Sequence, residues 1–387
     1  MKSIFKILIL FLVYLFLFQL VPSVYSVDPL SFPNNKFGVH ILFSSEIGDA
    51  AKLVNSSGGD WGYVTIPIQA GDKNLVKWQK FMDKARELHV IPIIRIATEG
   101  DFFNKKVWRK PIDEDIIDFA NFLNSLDWPT KNRYVVILNE VNRSDEWGQD
   151  PNPKAYAEIL QYALAVFKSK HSDFFIISAG LDNAAANISK ESMDEYKFMT
   201  EMNNAVPGIF NQIDGLGSHS YPNPAFLQPP SVDTPKSISS FKYEKDLAEK
   251  LSNKSLPVFI TETGWSLDMV NESKMASYYE EAFKTVWNDE NIVAVTPFLL
   301  KAGTGPFSQF SLINIHGAPT LGYKALEKIQ KVKGNPKLPD DYIKIGIDNP
   351  QSNLIPKKDF LDDPTSKKDS FIQLDTVKTI LKWLIKS

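Results

Sequence analysis

Short apolar runs alternate with amphipathic stretches along most of the chain, regularly enough to be counted. A short apolar run bounded by turn residues reads as a buried strand, whereas apolar residues three and four apart mark one face of a helix. Strands are predicted at FGVHILF from Phe37, WGYVTIPI from Trp61, IPIIRIA from Ile91 and YVVILNE from Tyr134. Four more follow at FFIISAG from Phe174, IDGLGSHSY from Ile213, Leu256 to Glu262, and NIVAVTPFLL from Asn291. Helices are predicted after each: from Ser45 to a glycine stop, from Asn74, over Asp113 to Leu126, from Lys154, around Ser192 to Asn203, near Ser240 to Leu251, from Glu272 and from Gly322. The second shows the period best, with Leu75, Trp78, Phe81, Met82 and Ala85 on one face. Eight strand-then-helix units over about 300 residues predict a (β/α)8 barrel, which places function in the loops at the carboxyl ends of the strands.

Both ends fall outside this count. Lys2 and Lys6 precede an unbroken apolar run, Ile7 to Phe18, and Val24-Tyr25-Ser26 has the form of a cleavage site. Residues 1–26 are therefore expected to be a signal peptide that exports the protein to the cell surface or medium, an uncleaved anchor being the alternative. The barrel is expected over 27–335 and a short C-terminal extension over 336–387. In that extension Asp375 caps an amphipathic helix with Val377, Ile380, Leu381, Leu384 and Ile385 on one face. It is expected to dock on the barrel exterior. Lys378, Lys382 and Lys386 leave a membrane-surface or partner helix as the other reading.

Composition narrows the function by exclusion. Of 387 residues 43% are hydrophobic, enough for a large core, and the net charge of −3 provides no basic field for nucleic acid. There is no cysteine, so stability rests on core burial and not on disulfides. No glycine-rich phosphate loop opens a helix and the five histidines lack metal-ligand spacing, so neither a cofactor nor a metal is expected. A monomer is expected, with membrane contact only through the amino-terminal segment.

Two carboxylates then stand out. Glu262 ends the apolar run of LPVFITETGW, and Glu140 ends that of YVVILNE beside Asn139. Each alone reads equally as a salt-bridged structural group. On opposite strands of one barrel they face each other across the mouth, as hydrolysis of a glycosidic bond requires. Arg95, inside IPIIRIA, is expected either to pair with a structural acid or to hold Glu262 ionised. His219 and Tyr221 lie at the mouth in GSHSYP, with Glu99 and Asp182 at the rim. Trp147, Trp265, Phe298 and Phe307 follow strand ends and are candidates, with Tyr221, for stacking on sugar faces.

These motifs, in this order and spacing, resemble the clan A glycoside hydrolases, which are retaining (β/α)8 enzymes. NEV, SYP and ETGW resemble the family 17 β-1,3-glucanases, and NEVNRSDEWG with IIRIAT resembles cellulase-like members. The resemblance implies Glu140 as acid/base, Asn139 as the partner of the sugar 2-hydroxyl, Glu262 as nucleophile, and Tyr221 as the hydroxyl positioning it. His219 matches the strand-six histidine of several members. Two positions depart from the pattern: Arg95 falls on strand three where the clan often has an arginine on strand two, and Pro297-Phe298 stands where a tryptophan is common. The expected function is retaining, endo-acting hydrolysis of a β-linked polysaccharide or oligosaccharide. A non-catalytic carbohydrate-binding barrel and a transglycosylase are the alternatives.

Overall fold

The computed structural model describes residues 26–99, 107–303, 305 and 307–340. The expected signal peptide, apart from Ser26, and the expected C-terminal amphipathic helix lie outside the described residues.

All eight strands form where the apolar runs place them. They are β1 (Gly38–His40), β2 (Gly62–Gln69), β3 (Val90–Ala97), β4 (Arg133–Ile137), β5 (Phe174–Ile177), β6 (Leu216–His219), β7 (Val258–Glu262) and β8 (Ile292–Val295). The helices between them are α1 (Ile47–Val54), α2 (Leu75–Glu87), α3 (Asp113–Asn124), α4 (Ser144–Trp147), α5 (Pro153–Lys170), α6 (Glu195–Ala205), α7 (Ile209–Gln212), α8 (Ser240–Ser252), α9 (Glu272–Lys284) and α10 (Leu321–Lys328). Several begin at a side-chain cap that satisfies an otherwise unpaired amide: Asn74 accepts from Lys77, Asn152 from Ala155 and Asn271 from Lys274.

Every strand pair is parallel, and the hydrogen bonds form a five-stranded sheet, β1 to β5, and a three-stranded sheet, β6 to β8. Isolated parallel bridges span both seams, Ile177 with Gly215 and Phe37 with Val295. Residues of the two sheets also meet in one interior: Tyr63, Ile93, Tyr134, Phe175, Phe259 and Val293 belong to a single buried cluster. The rings of Tyr134 and Phe259, from different sheets, are 5.4 Å apart.

The strand period of two sorts side chains between this interior and the helices. On β3, Ile91 and Ile93 point inward while Ile94 and Ile96 join the larger core under the helices. Arg95 is next in the inward series. On β1, Val39 faces the helices, which turns His40 inward; on β6, Leu216 does so and His219 takes the inward place. Past β8 the chain returns to the sheet's other end, where Gly334 and Asn335 donate to the carbonyls of Asp60 and Pro33.

Candidate active site

At the end of β4 the chain departs from strand geometry. Leu138 has φ 71° and Glu140 φ 35°, both in the left-handed region that non-glycine residues rarely adopt, and such strain persists only where surrounding contacts enforce it. Here the Glu140 amide donates to the Gly180 carbonyl at 3.0 Å and the Arg143 amide donates to the Glu140 carbonyl at 2.9 Å. The turn carries the Glu140 carboxyl toward β6. Room there for the His219 ring depends on Gly180: a Cβ at that position would lie 2.2 Å from Cδ2 of His219.

Five residues from four strand ends converge. His219 Nδ1 is 2.9 Å from Glu140 Oε1 and 3.9 Å from Glu262 Oε2. Tyr221 donates its hydroxyl to Glu262 Oε2 at 3.1 Å, and Arg95 Nη1 lies 3.5 Å from Glu262 Oε1. The ligand atoms of Glu140, His219 and Glu262 all fall within 4.8 Å of one another. Both glutamates are nearly enclosed, at 8% and 7% exposure. Asn139 is half-buried beside them, and its buried Oδ1 has no hydrogen-bond partner among the described residues.

Burial by itself would push the Glu140 carboxyl up. Arg143, the His219 hydrogen bond and Arg95 outweigh it and hold that carboxyl below the ordinary glutamate range. Burial likewise opposes a charge on His219, but the negative charges of Glu262 and Glu140 raise its pKa. The free site therefore favours a proton on the imidazole side of the 2.9 Å hydrogen bond. The Tyr221 hydroxyl, pushed well up by burial and by Glu262, stays a neutral donor.

Two expectations are corrected. Trp147, expected to stack on sugar, is 1% exposed and packs edge-on against Tyr156 in the core, ring centroids 5.9 Å apart. Trp265 is fully buried among Tyr278, Tyr279 and Trp287, and donates its indole N–H to the Gln228 carbonyl at 2.7 Å. Both follow a strand end by a few residues, but the chain turns back under the helices before reaching them. Phe298 remains at the mouth: it packs with Tyr221, Phe310 and the half-buried Phe226 and Phe307 in a small aromatic cluster, its edge toward His40. At the rim Glu99 pairs with Arg109, and Asp182 lies 3.7 Å from Arg143.

Three residues at the site escaped the sequence reading. His40 is fully buried, its Nε2 lies 3.6 Å from Glu262 Oε1, and neither ring nitrogen has a hydrogen-bond partner among the described residues. Burial, then Arg95 and His219, push its pKa well down, so the ring is neutral. Counting parity along β1 would have found it. Arg143 Nη1 contacts Glu140 Oε2 at 3.0 Å, and its guanidinium also binds Asp145. Glu146 lies on α4, its carboxyl raised to about 8 by burial and by the charge of Glu140. Arg143 caps and Glu146 lies within the one-turn helix α4, whose place after β4 no local pattern reveals.

No family model matches the sequence, and no curated protein matches it by sequence. Solved structures do match. A family 39 glycoside hydrolase from the gut symbiont Bacteroides cellulosilyticus WH2 is 16% identical with TM-score 0.54, covering 79% of this chain; this chain covers 65% of that enzyme's length. A GH39 β-xylosidase from Caulobacter crescentus is 13% identical with TM-score 0.55, over 76% of this chain and 72% of the enzyme. A GH5_18 structure from Bifidobacterium longum subsp. infantis is 12% identical with TM-score 0.53, over 76% and 78%. These neighbours are of the clan A kind that the strand-end motifs resemble, and at such identities what the chain shares with them is the parallel α/β fold.

Proposed function

We propose that the protein is a retaining glycoside hydrolase acting on a β-linked polysaccharide or oligosaccharide, its eight strands closing as a (β/α)8 barrel around the site. The observation that carries the reading is the placement of Glu140 and Glu262, whose nearest ligand atoms lie within 4.8 Å. Carboxyl pairs about 5 to 5.5 Å apart suit attack by one of them on the sugar, whereas about 6.5 to 9.5 Å leaves room for an intervening water and inversion.

In this reading Glu262 attacks the anomeric carbon. Tyr221 and Arg95 orient its two oxygens and stabilise the carboxylate, and the bond to the leaving oxygen breaks as that oxygen takes a proton from Glu140. The proton comes from the His219 side of the pair. Exclusion of water by bound sugar disfavours the separated imidazolium and carboxylate, so the proton shifts to Glu140, leaving both partners neutral. In the second half Glu140 takes a proton from water, which displaces Glu262 from the opposite face, the one the leaving group vacated, so that a second inversion restores the starting configuration. In this reading the half-buried Asn139, whose Oδ1 is unpaired among the described residues, binds a sugar hydroxyl. The signal-like residues 1–26 accord with export to a polymeric substrate.

Two enclosed carboxylates, each held by its own cation, are more than a binding cleft needs, which favours turnover over the binding-barrel reading. The test is reducing-sugar release from a panel of β-glucans, mannans, galactans and xylans, with Glu262→Ala alongside. Release from one polymer that vanishes in the variant supports the reading, and proton NMR of the first-formed product should show the substrate's anomeric configuration. Polymer binding without release by either protein would overturn it.

A further inference from the structure

Beyond the acid/base candidate the mouth carries a half-buried tryptophan that the strand-end motifs do not include. Among the described residues Trp78, Trp128, Trp147, Trp265 and Trp287 are buried, which leaves Trp61 and Trp108. Trp61 precedes β2, at the opposite end of the strands from the mouth, and its ring is stacked on His89. Trp108 follows β3, at the mouth end, and donates its amide to the Asp145 carbonyl at 2.7 Å. The next residue is pinned as well: the Arg109 amide donates to the Glu99 carbonyl at 2.8 Å, and its guanidinium pairs with Glu99 and Asp115. The indole is thus carried on a fixed stretch of chain, so a ligand would have little left to order.

Glu146, next to Asp145 on α4, is the second feature. Other carboxylates around the mouth are already held: Glu140 by His219 and Arg143, Glu262 by Tyr221 and Arg95, Asp145 by Arg143, and Glu99 by Arg109. Glu146 is half-buried and makes no hydrogen bond or ion pair with the described residues. It senses the charges of Glu140, Arg143, Arg95 and Asp145, yet is not among the atoms that converge within 4.8 Å. With its carboxyl raised to about 8, it carries a proton at neutral pH and can both donate and accept.

We propose that Trp108 and Glu146 form a sugar-binding subsite beside the catalytic pair, the indole stacking on a pyranose face and the Glu146 carboxyl taking hydroxyls at the ring's edge. A β-linked pyranose presents a flat face of C–H groups and a rim of hydroxyls, which an apolar platform and a donor-acceptor group complement. Asp145 joins the subsite to the acid/base candidate. Its carbonyl holds Trp108, its carboxylate holds Arg143 at 2.7 Å, and Arg143 holds Glu140. A ring bound there neighbours the ring under attack and does not replace it. The inference rests on the carbohydrate part of the hydrolase reading and not on turnover.

Calorimetry of the full chain carrying Glu262→Ala, with hexaoses of the β-glucan, mannan, galactan and xylan types, tests the subsite. At least one hexaose should bind, and Trp108→Ala or Glu146→Ala added to that protein should weaken it about tenfold. Glu146→Gln keeps a donor and an acceptor and should bind within about threefold of the parent. Thermal melts establish that each variant is folded; if Trp108→Ala is not, the two Glu146 variants decide. In the otherwise wild-type protein the alanine variants should raise KM about tenfold on the cleaved polymer with kcat nearly unchanged. Failure of every hexaose to bind, unchanged affinity in either folded alanine variant, or Glu146→Gln as weak as Glu146→Ala would each overturn the proposal. The expected binding pattern in a protein that releases no sugar supports the subsite while counting against the hydrolase. Sugar release with KM unmoved by either alanine variant does the reverse.

Discussion

Arg143 Nη1 lies 3.0 Å from Glu140 Oε2, on the carboxyl's far side from the 2.9 Å hydrogen bond to His219. The acid/base candidate is thus gripped between two cationic donors. That grip decides at which pH the pair can hold its proton. The guanidinium favours ionised Glu140, so removing it raises the pair's affinity for a proton. In Arg143→Gln the alkaline limb of kcat/KM against pH should move upward by about one unit or more. An unmoved limb in a folded variant would mean that Arg143 serves only to shape its loop.

Loss of the two glutamates should be told apart by the leaving group. Glu262→Ala should lower turnover of every substrate by more than ~10⁴-fold. Glu140→Ala should cost about 10² to 10⁴ on polysaccharide and far less on an aryl glycoside whose leaving group needs no proton. Equal losses on both substrates would remove Glu140 from the acid role.

The Tyr221 hydroxyl donates to Oε2 of Glu262, the proposed nucleophile, at 3.1 Å. Tyr221→Phe keeps the ring in its aromatic cluster and removes only that donor. The expected result is a fall in kcat of about 10- to 100-fold with KM nearly unchanged, since a charged hydrogen bond is worth about 1.5 to 3 kcal/mol. A change confined to KM would assign the hydroxyl to substrate.

His40→Leu separates stability from activity. It removes two buried nitrogens that have no hydrogen-bond partner among the described residues, so the melting temperature should hold or rise while activity falls. Trp265→Ala should do the reverse of a platform mutation and destabilise the fold by about 3 to 5 kcal/mol, because the indole is core. Weaker polymer binding by Trp265→Ala at unchanged stability would contradict its placement.

Glu195 and Glu244 make the fold prefer mild acid. They are 1% and 3% exposed, and burial raises both carboxyls, with the charge of Glu244 adding to the effect on Glu195. Between the ordinary glutamate pKa and the raised folded value, the native state binds more protons than the unfolded one, so stability falls as pH rises. Glu244→Gln keeps an acceptor for the Ser218 hydroxyl and removes the titration. The loss of melting temperature from pH 5 to pH 8 should shrink in this variant by roughly 2 °C or more. Equal wild-type melting temperatures at both pH values would refute the argument.

The eight strands and the strand-end positions of Glu140 and Glu262 were legible in the sequence, because strand burial and parity are local properties of a few consecutive residues. The inward course of Arg95 follows from the same parity, and so does that of His40, although its run FGVHILF carries no chemical signal to prompt the count. The tertiary structure alone decided the rest. Left-handed turns at Leu138 and Glu140 aim the carboxyl, and they are held by Gly180 and Arg143 across loops whose path has no period. The same loops take Trp147 and Trp265 into the core, where nearness in sequence to a strand end had suggested the mouth. A repeating pattern records which side of an element is buried; where irregular chain runs after that element ends is settled by contacts with distant residues.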